Sequence, residues 1–583
     1  MKFLLSMLTL FVLAFNLQAK SSKQDKKLES FLKQSWEYSL SRSPQSANYF
    51  GQKDQAGLLN NVSAEYKYET AQGYQILLDE LNKIKRNKLS VENKINYDMS
   101  KDMISGYIAD TNFNEFQIPI TSEGSFHVNL ARMATQSRFK TEKDYESYLS
   151  KLKQVPKVFS QHIANMREGL KTGMTQPQVI INHYPEFIDK YIAEIPTESS
   201  YYVPFKSINK NIDKDKAALF QKQAQIIITN DVMPAYENFK QFMIEDYIPG
   251  AKKDIGAYSF PNGKAYYQQQ IKEYTTLDLS PKEIHDIGWK EVKRIRSEME
   301  AIIEQVEFEG SFAEFLDFLR SDPQFYAKSA EDLLKEASFI AKKMDGKLPS
   351  LFTKLPRQPY AVNPVPEQIA ANYTTGRYVP APLDSTRPGQ YWVNTYALEK
   401  RPLYNLEALT FHEAVPGHHL QGALNAELDN LPTFRRYNYI SAFGEGWGLY
   451  CEKLAKEVGF YQDPYSDFGR LTYEMWRAMR LVVDTGMHAF GMSRDEAITL
   501  MEENTALSKH NVRTEIDRYI GWPAQALSYK LGEIKIWELR AKAEKALGSD
   551  FDIRTFHDAL LSKGSVPLHV LEQIVDGYIK TIN

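Results

Sequence analysis

Over most of this chain apolar residues fall at three-and-four spacing, a pattern that buries one face of a helix, and this constrains the fold more than any other feature. Leu28, Phe31, Leu32 and Trp36 open the pattern, which predicts a helical scaffold from Lys23 to about Lys253. A helix from Asp213 to Phe242 is expected to kink or break at Pro234, because proline lacks an N–H and crowds the preceding turn. The stretch from Pro196 to Lys206 loses the period and is expected to be a loop. Ser280, Pro281 and Glu283 supply a cap, a first-turn proline and a capping-box carboxylate, so a helix is expected from Pro281 to about Val306. The main exception lies between Pro356 and Pro402, where eight prolines surround the β-formers Gln390 to Thr395. That segment reads as loop with one or two strands. Helical spacing returns at Asn405 and is expected over Pro464 to Phe490, Ser493 to His510 and Pro523 to Ala546. The fold class is mainly α, with a small β element, and divides into residues 20–255 and 256–583 within one continuous fold.

Residues 1–19 read as a signal peptide: Met1-Lys2, an apolar run from Phe3 to Phe15, and small Ala19 before Lys20. The run is shorter than the roughly 20 residues that span a membrane. Cys451 is the only cysteine, so no internal disulfide can form and no lipid anchor is expected. The 71 basic and 74 acidic residues leave a formal charge of −3, which gives no global field for nucleic acid or anionic membrane. An exported protein, periplasmic or secreted, is expected.

The densest chemistry is Thr410-Phe411-His412-Glu413-Ala414-Val415-Pro416-Gly417-His418-His419-Leu420-Gln421. It is a broken form of the His-Glu-x-x-His zincin motif, in which residues four apart share a helix face. Here Pro416 holds the fourth position after His412. On a regular helix His418 would be rotated about 240° from His412, and His419 would be in line but ~10 Å along the axis. A two-residue bulge at Pro416-Gly417 would bring His418 into place, with His419 as the alternative. Glu445, flanked by Gly444 and Gly446, is the candidate third ligand, and Glu452 the reserve. Two imidazoles, a carboxylate and an open position are the donor set of catalytic zinc, so Zn2+ is the expected cofactor. His127, His162, His183, His285, His510, His557 and His569 read as ordinary core or surface residues.

Next to a ligand in sequence, Glu413 is placed to act as general base on a water. Tyr519 and Tyr529 are candidate donors to a developing oxyanion. Arg480, Asp484 and His488 form a polar stripe that suits a cleft wall and equally a solvated helix face. The strand Tyr391 to Thr395 could pair with an extended peptide, and Arg387 could meet a substrate carboxylate or make a structural salt bridge. The expected function is a zinc metallohydrolase cleaving oligopeptides. The alternatives are an amidohydrolase or esterase on non-peptide substrates, and a non-catalytic binding protein, which an intact Glu413 argues against.

These motifs also carry a family resemblance: Tyr274-Thr275-Thr276 with Leu279-Ser280-Pro281, Ser385 to Gly389, His412 to Gln421, Gly444 to Trp447, and Tyr519 to Tyr529. The chain resembles the bacterial domain of unknown function 885 family, a group related to zinc peptidases. The resemblance implies a large helical fold similar to the helical gluzincins, with a deep substrate channel. It also implies metal and base roles for His412, Glu413, His418 and Glu445.

Overall fold

Ser22, Ser63 and Ser90 each accept a backbone N–H through the side-chain oxygen and so start α1 (Lys23–Ser41), α2 (Ala64–Asn82) and α3 (Val91–Asn112). In this computed structural model, residues 22–582 are described apart from Glu123, Asn372 and 383–385. The expected signal peptide and Ser385 lie outside the described residues. The apolar faces of α1 to α3 meet in a small core of Leu28, Phe31, Tyr74, Leu77 and Ile104. A larger apolar cluster runs from Leu59 to Val575 and takes side chains from both halves of the chain.

α4 (Lys214–Ile227) does not stop at Pro234. A π-helical segment, Ile228–Val232, carries the chain into α5 (Met233–Phe242), and a second, Met243–Tyr247, precedes Pro249. In each case the wide turn contains the carbonyl four residues before the proline, the group a regular turn would crowd. The expected break is thus absorbed as a local widening. The expected loop from Pro196 is instead a series of short turns, Pro196–Glu198, Ser200–Tyr202 and Val203–Lys206.

At α6 (Pro281–Gln305) the predicted start is present, with Ser280 and Glu283 exchanging the two hydrogen bonds of a capping box. Three strands follow, β1 (Tyr360–Pro364), β2 (Gly376–Val379) and β3 (Gly389–Val393), in the order β1-β3-β2. β3 is parallel to β1 and antiparallel to β2, with Tyr391 opposite Val362 and Tyr378. Gly389, Tyr391 and Val393 face inward, and the Tyr391 hydroxyl lies 3.2 Å from Thr410 Oγ1. The expectation that Tyr391 to Thr395 could pair with a peptide is corrected here: β3 is bonded on both sides, and β1 and β2 are the outer strands.

The remaining helices are α7 (Leu406–Glu413), α8 (His418–Ala426), α9 (Ser441–Leu454), α10 (Pro464–Ala489), α11 (Arg494–Asn504), α12 (Lys509–Gly521) and α13 (Ser528–Leu547). The expected helix from Ser493 to His510 is two helices. Thr505 is extended, Ser508 caps α12, and the Arg320 guanidinium donates to the carbonyls of Glu502, Thr505 and Leu507 across the break. No local signal announces a cap donated from 180 residues away.

α10 runs through the middle of the protein, lying along α6 and touching α7 and α13. Its stripe of Arg480, Asp484 and His488 is neither a cleft wall nor a solvated face, since all three are 3 % exposed or less. His488 Nδ1 accepts from Ala257 N, and Asp484 accepts from the Tyr267 hydroxyl and Ala524 N. A buried polar group is retained only where its bonds are made, and here these bonds tie three segments to one helix. α9 and α13 cross where Gly446 meets Gly532. A Cβ at Gly532 would lie 2.0 Å from the Ala442 carbonyl oxygen.

Candidate metal centre

α7 ends at Glu413 because Pro416 has no N–H to offer the His412 carbonyl. The chain then folds back over the helix end, through a cis Val415–Pro416 peptide. Gly417 makes the return possible: a Cβ there would sit 2.0 Å from the His412 carbonyl oxygen and 2.4 Å from that of Phe411. Trp447 on α9 donates its indole N–H to the Pro416 carbonyl at 2.9 Å, and α8 begins at His418. The expected two-residue bulge within one helix is corrected to a turn between two helices. The turn brings the His412 and His418 rings to 4.7 Å apart at 89°.

Both rings address the same oxygen of Glu445. His412 Nε2 is 3.5 Å and His418 Nε2 is 3.3 Å from Glu445 Oε2, and each of the three residues has a ligating atom within 4.8 Å of the other two. Donors ~2.0–2.2 Å from a tetrahedral zinc stand roughly 3.3–3.6 Å from one another. Two imidazole nitrogens and a carboxylate oxygen at these separations therefore fit zinc. Among the described residues no other group of His, Cys, Asp or Glu forms such a cluster.

His419 turns the other way. Its Nε2 is 3.1 Å from the Gln358 carbonyl oxygen and its Nδ1 is 3.3 Å from the Tyr378 hydroxyl, so it fastens α8 to the strands. Burial pushes its pKa down to about 4 and keeps it neutral. Glu452 sits behind the site, with Oε1 2.8 Å from His412 Nδ1. Burial lowers the His412 pKa, but Glu445, Glu452 and Glu413 outweigh it and hold the value up at about 9. Burial likewise opposes charge on Glu445, whose pKa the two imidazoles hold well below the usual range. The three groups thus favour a positive charge between them, carried by the imidazole proton.

Space for the His412 ring comes from Gly448, where a Cβ would lie 2.7 Å from ring Cε1. Glu413, half-buried, accepts the Tyr378 backbone N–H at 2.8 Å. That N–H is on β2, an outer strand of the sheet.

Of the two candidate tyrosines, Tyr519 is 1 % exposed and its hydroxyl accepts from Trp476 Nε1 at 2.9 Å and Arg480 Nε at 2.7 Å. Its hydroxyl is engaged by these two buried donors. Tyr529 is half-buried, with the Arg480 guanidinium 4.2 Å over its ring. Burial raises the Tyr529 pKa, and the nearby charge of Glu445 raises it further. Arg387 is exposed two residues before β3.

The description bacterial protein of unknown function, DUF885, matches residues 44–575. The chain belongs to that family. A crystal structure of a candidate lipoprotein from Colwellia psychrerythraea is similar to this DUF885 chain with a TM-score of 0.89 and 28% identity, covering 96% of this chain and 100% of that one. A candidate lipoprotein of unknown function from Shewanella oneidensis matches with a TM-score of 0.74 and 18% identity, covering 95% and 100%, and shows the likeness of fold alone. None of the curated proteins matches the sequence.

Sequence reasoning on this DUF885 chain missed Tyr439, whose hydroxyl donates to Glu445 Oε1 at 2.8 Å. It lies six residues before Glu445, outside the helix, at no spacing that a motif would mark. The nearest signal is Gly444, where a Cβ would collide with the Tyr439 ring at 2.4 Å.

Proposed function

We propose that this protein is a zinc-dependent hydrolase that cleaves peptides. The observation that carries the proposal is the meeting of His412 Nε2 and His418 Nε2 on Glu445 Oε2, with Glu413 adjacent to a ligand and its carboxylate held at the site by Tyr378 N–H. Bound zinc supplies Lewis acidity and lowers the pKa of water to about 7. Glu413 takes the proton from the attacking water, and the Tyr378 N–H fixes the carboxylate that receives it. Tyr529 donates to the oxygen on which negative charge develops. β2 offers an outer strand edge beside Glu413, which favours an extended peptide as the substrate. The leader-like residues 1–19 and the naming of two structural relatives as candidate lipoproteins support an exported location.

The test is metal analysis and turnover on three proteins. The parent chain should bind one zinc and cleave members of a short-peptide panel. Glu413→Gln should keep zinc and lose turnover, and His412→Ala should lose zinc. Stoichiometric zinc in His412→Ala would sink the assignment, and turnover of N-acyl or ester substrates with no peptide cleaved would move it to a different amide or ester.

A further inference from the structure

Glu445 has two carboxylate oxygens, and the structure gives them different work. Oε2 faces both imidazoles, at 3.5 and 3.3 Å. Oε1 accepts the Tyr439 hydroxyl at 2.8 Å. A carboxylate whose second oxygen is committed to a hydrogen bond presents one oxygen to a metal, whereas a free carboxylate can offer both.

Tyr439 is held for this task from three sides. Its neighbour Tyr437 packs edge-on against Phe50, ring centres 4.9 Å apart, and against Tyr49 at 6.1 Å. On the other side Ile440 N–H donates to Ser565 Oγ at 2.8 Å. The ring itself lies against α9 at Gly444, one residue before the ligand, in space that a Cβ would close at 2.4 Å from the hydroxyl. The residue is nonetheless 56 % exposed. A tyrosine needed only for packing would bury its ring. This one leaves the ring open and gives its hydroxyl to a half-buried carboxylate.

We infer that Tyr439 is a positioning residue for the metal centre, holding Glu445 as a one-oxygen ligand and so keeping a coordination position open for water or substrate. The inference rests on the zinc reading above, because it assigns a role toward that ion. Loss of an outer hydrogen-bond partner of a ligand typically weakens metal binding by about 10–100-fold. With Oε1 released, it can also join the coordination shell and raise the coordination number.

The experiment compares the parent chain with Tyr439→Phe, which keeps the ring and removes the hydroxyl. Zinc affinity is read by competition with a chelator, and coordination number by the visible absorption of the cobalt-substituted protein, which weakens when a four-coordinate ion becomes five-coordinate. Tyr439→Phe should bind zinc roughly tenfold or more weakly and show weakened cobalt absorption. Gly444→Ala, which drives the ring off the helix, should reproduce both changes. Tyr437→Phe, whose hydroxyl makes no bond to Glu445, should reproduce neither. Parental affinity together with a parental cobalt spectrum in Tyr439→Phe would overturn the inference while leaving zinc binding by the parent intact. A parent chain that takes up no zinc would instead defeat the zinc reading itself.

Discussion

His412 Nδ1 stands 2.8 Å from Glu452 Oε1, and this contact decides which ring nitrogen is left for Glu445. The carboxylate accepts from Nδ1, so a cation at the shared focus would take the place of the hydrogen on Nε2 and find that lone pair aimed at it. Arg477 Nη2 lies 3.5 Å from the same Glu452 oxygen and holds it in turn. Glu452→Gln, which preserves size and removes charge, is expected to weaken zinc binding about tenfold. Chelator competition measures this, and a parental affinity would show that Glu452 has no part in orienting the ring.

Gly448 bears on the same imidazole. Its missing Cβ leaves the space that three ring atoms of His412 occupy, at 2.7 to 2.9 Å from where the Cβ would be. Gly448→Ala should keep its helical circular dichroism yet hold zinc below one equivalent, because the group that must give way is the proposed ligand His412. One equivalent of zinc in the folded variant would show that the ring adapts.

Two tyrosine substitutions should separate architecture from chemistry. Tyr519→Phe strips the acceptor from Trp476 Nε1 and Arg480 Nε, both buried, at about 1–3 kcal/mol for each donor left unpaired. Its melting temperature should fall while turnover of the folded protein changes little. Tyr529→Phe should do the reverse, lowering kcat by roughly 10²–10³ with a smaller effect on melting. Equal turnover losses in the two variants would contradict this division.

Acid should destabilise the fold partly through His557. Its Nδ1 lies 2.9 Å from the Leu351 carbonyl oxygen and its Nε2 2.7 Å from the Tyr450 hydroxyl, and burial pushes its pKa down from 6.5 to about 3. Between those values the unfolded chain binds a proton that the folded chain refuses. The stability from this residue is complete above about pH 6.5 and is lost as pH falls toward 3, at ~1.4 kcal/mol per unit. Denaturation midpoints should therefore fall more steeply from pH 7 to 4.5 in the parent than in His557→Gln. Parallel slopes would remove His557 from the account.

Several elements were legible because their causes are local. The capping box at Ser280 needs only residues within one turn, and the strand at Tyr391 follows from its own composition. The helix break at Pro416-Gly417 follows from a missing N–H and a missing Cβ. What the break does to the chain was not legible to the same depth: a bulge and a turn between helices both satisfy the local rule. The choice rests on Trp447 reaching back to the Pro416 carbonyl.

Other features depend on partners far along the chain. Arg320 caps the gap between α11 and α12, and β3 loses its free edges to β1 and β2. Tyr519 is spent on Trp476 and Arg480, whereas Tyr439 reaches Glu445. Spacing in the sequence carries none of this, because a side chain's partner is set by which helices cross.

By itself the sequence determined a mainly helical chain with a small β segment, and it named His412, His418, Glu413 and Glu445, since period, proline and donor chemistry act within a few residues. Only the tertiary structure decided that His418 rather than His419 faces His412, that Glu452 stands behind the ring, and that Tyr439 holds the far oxygen of Glu445. These depend on α7, α8 and α9 packing at glycine-sized distances, and the direction of a side chain at such a crossing is fixed by the whole core that surrounds it.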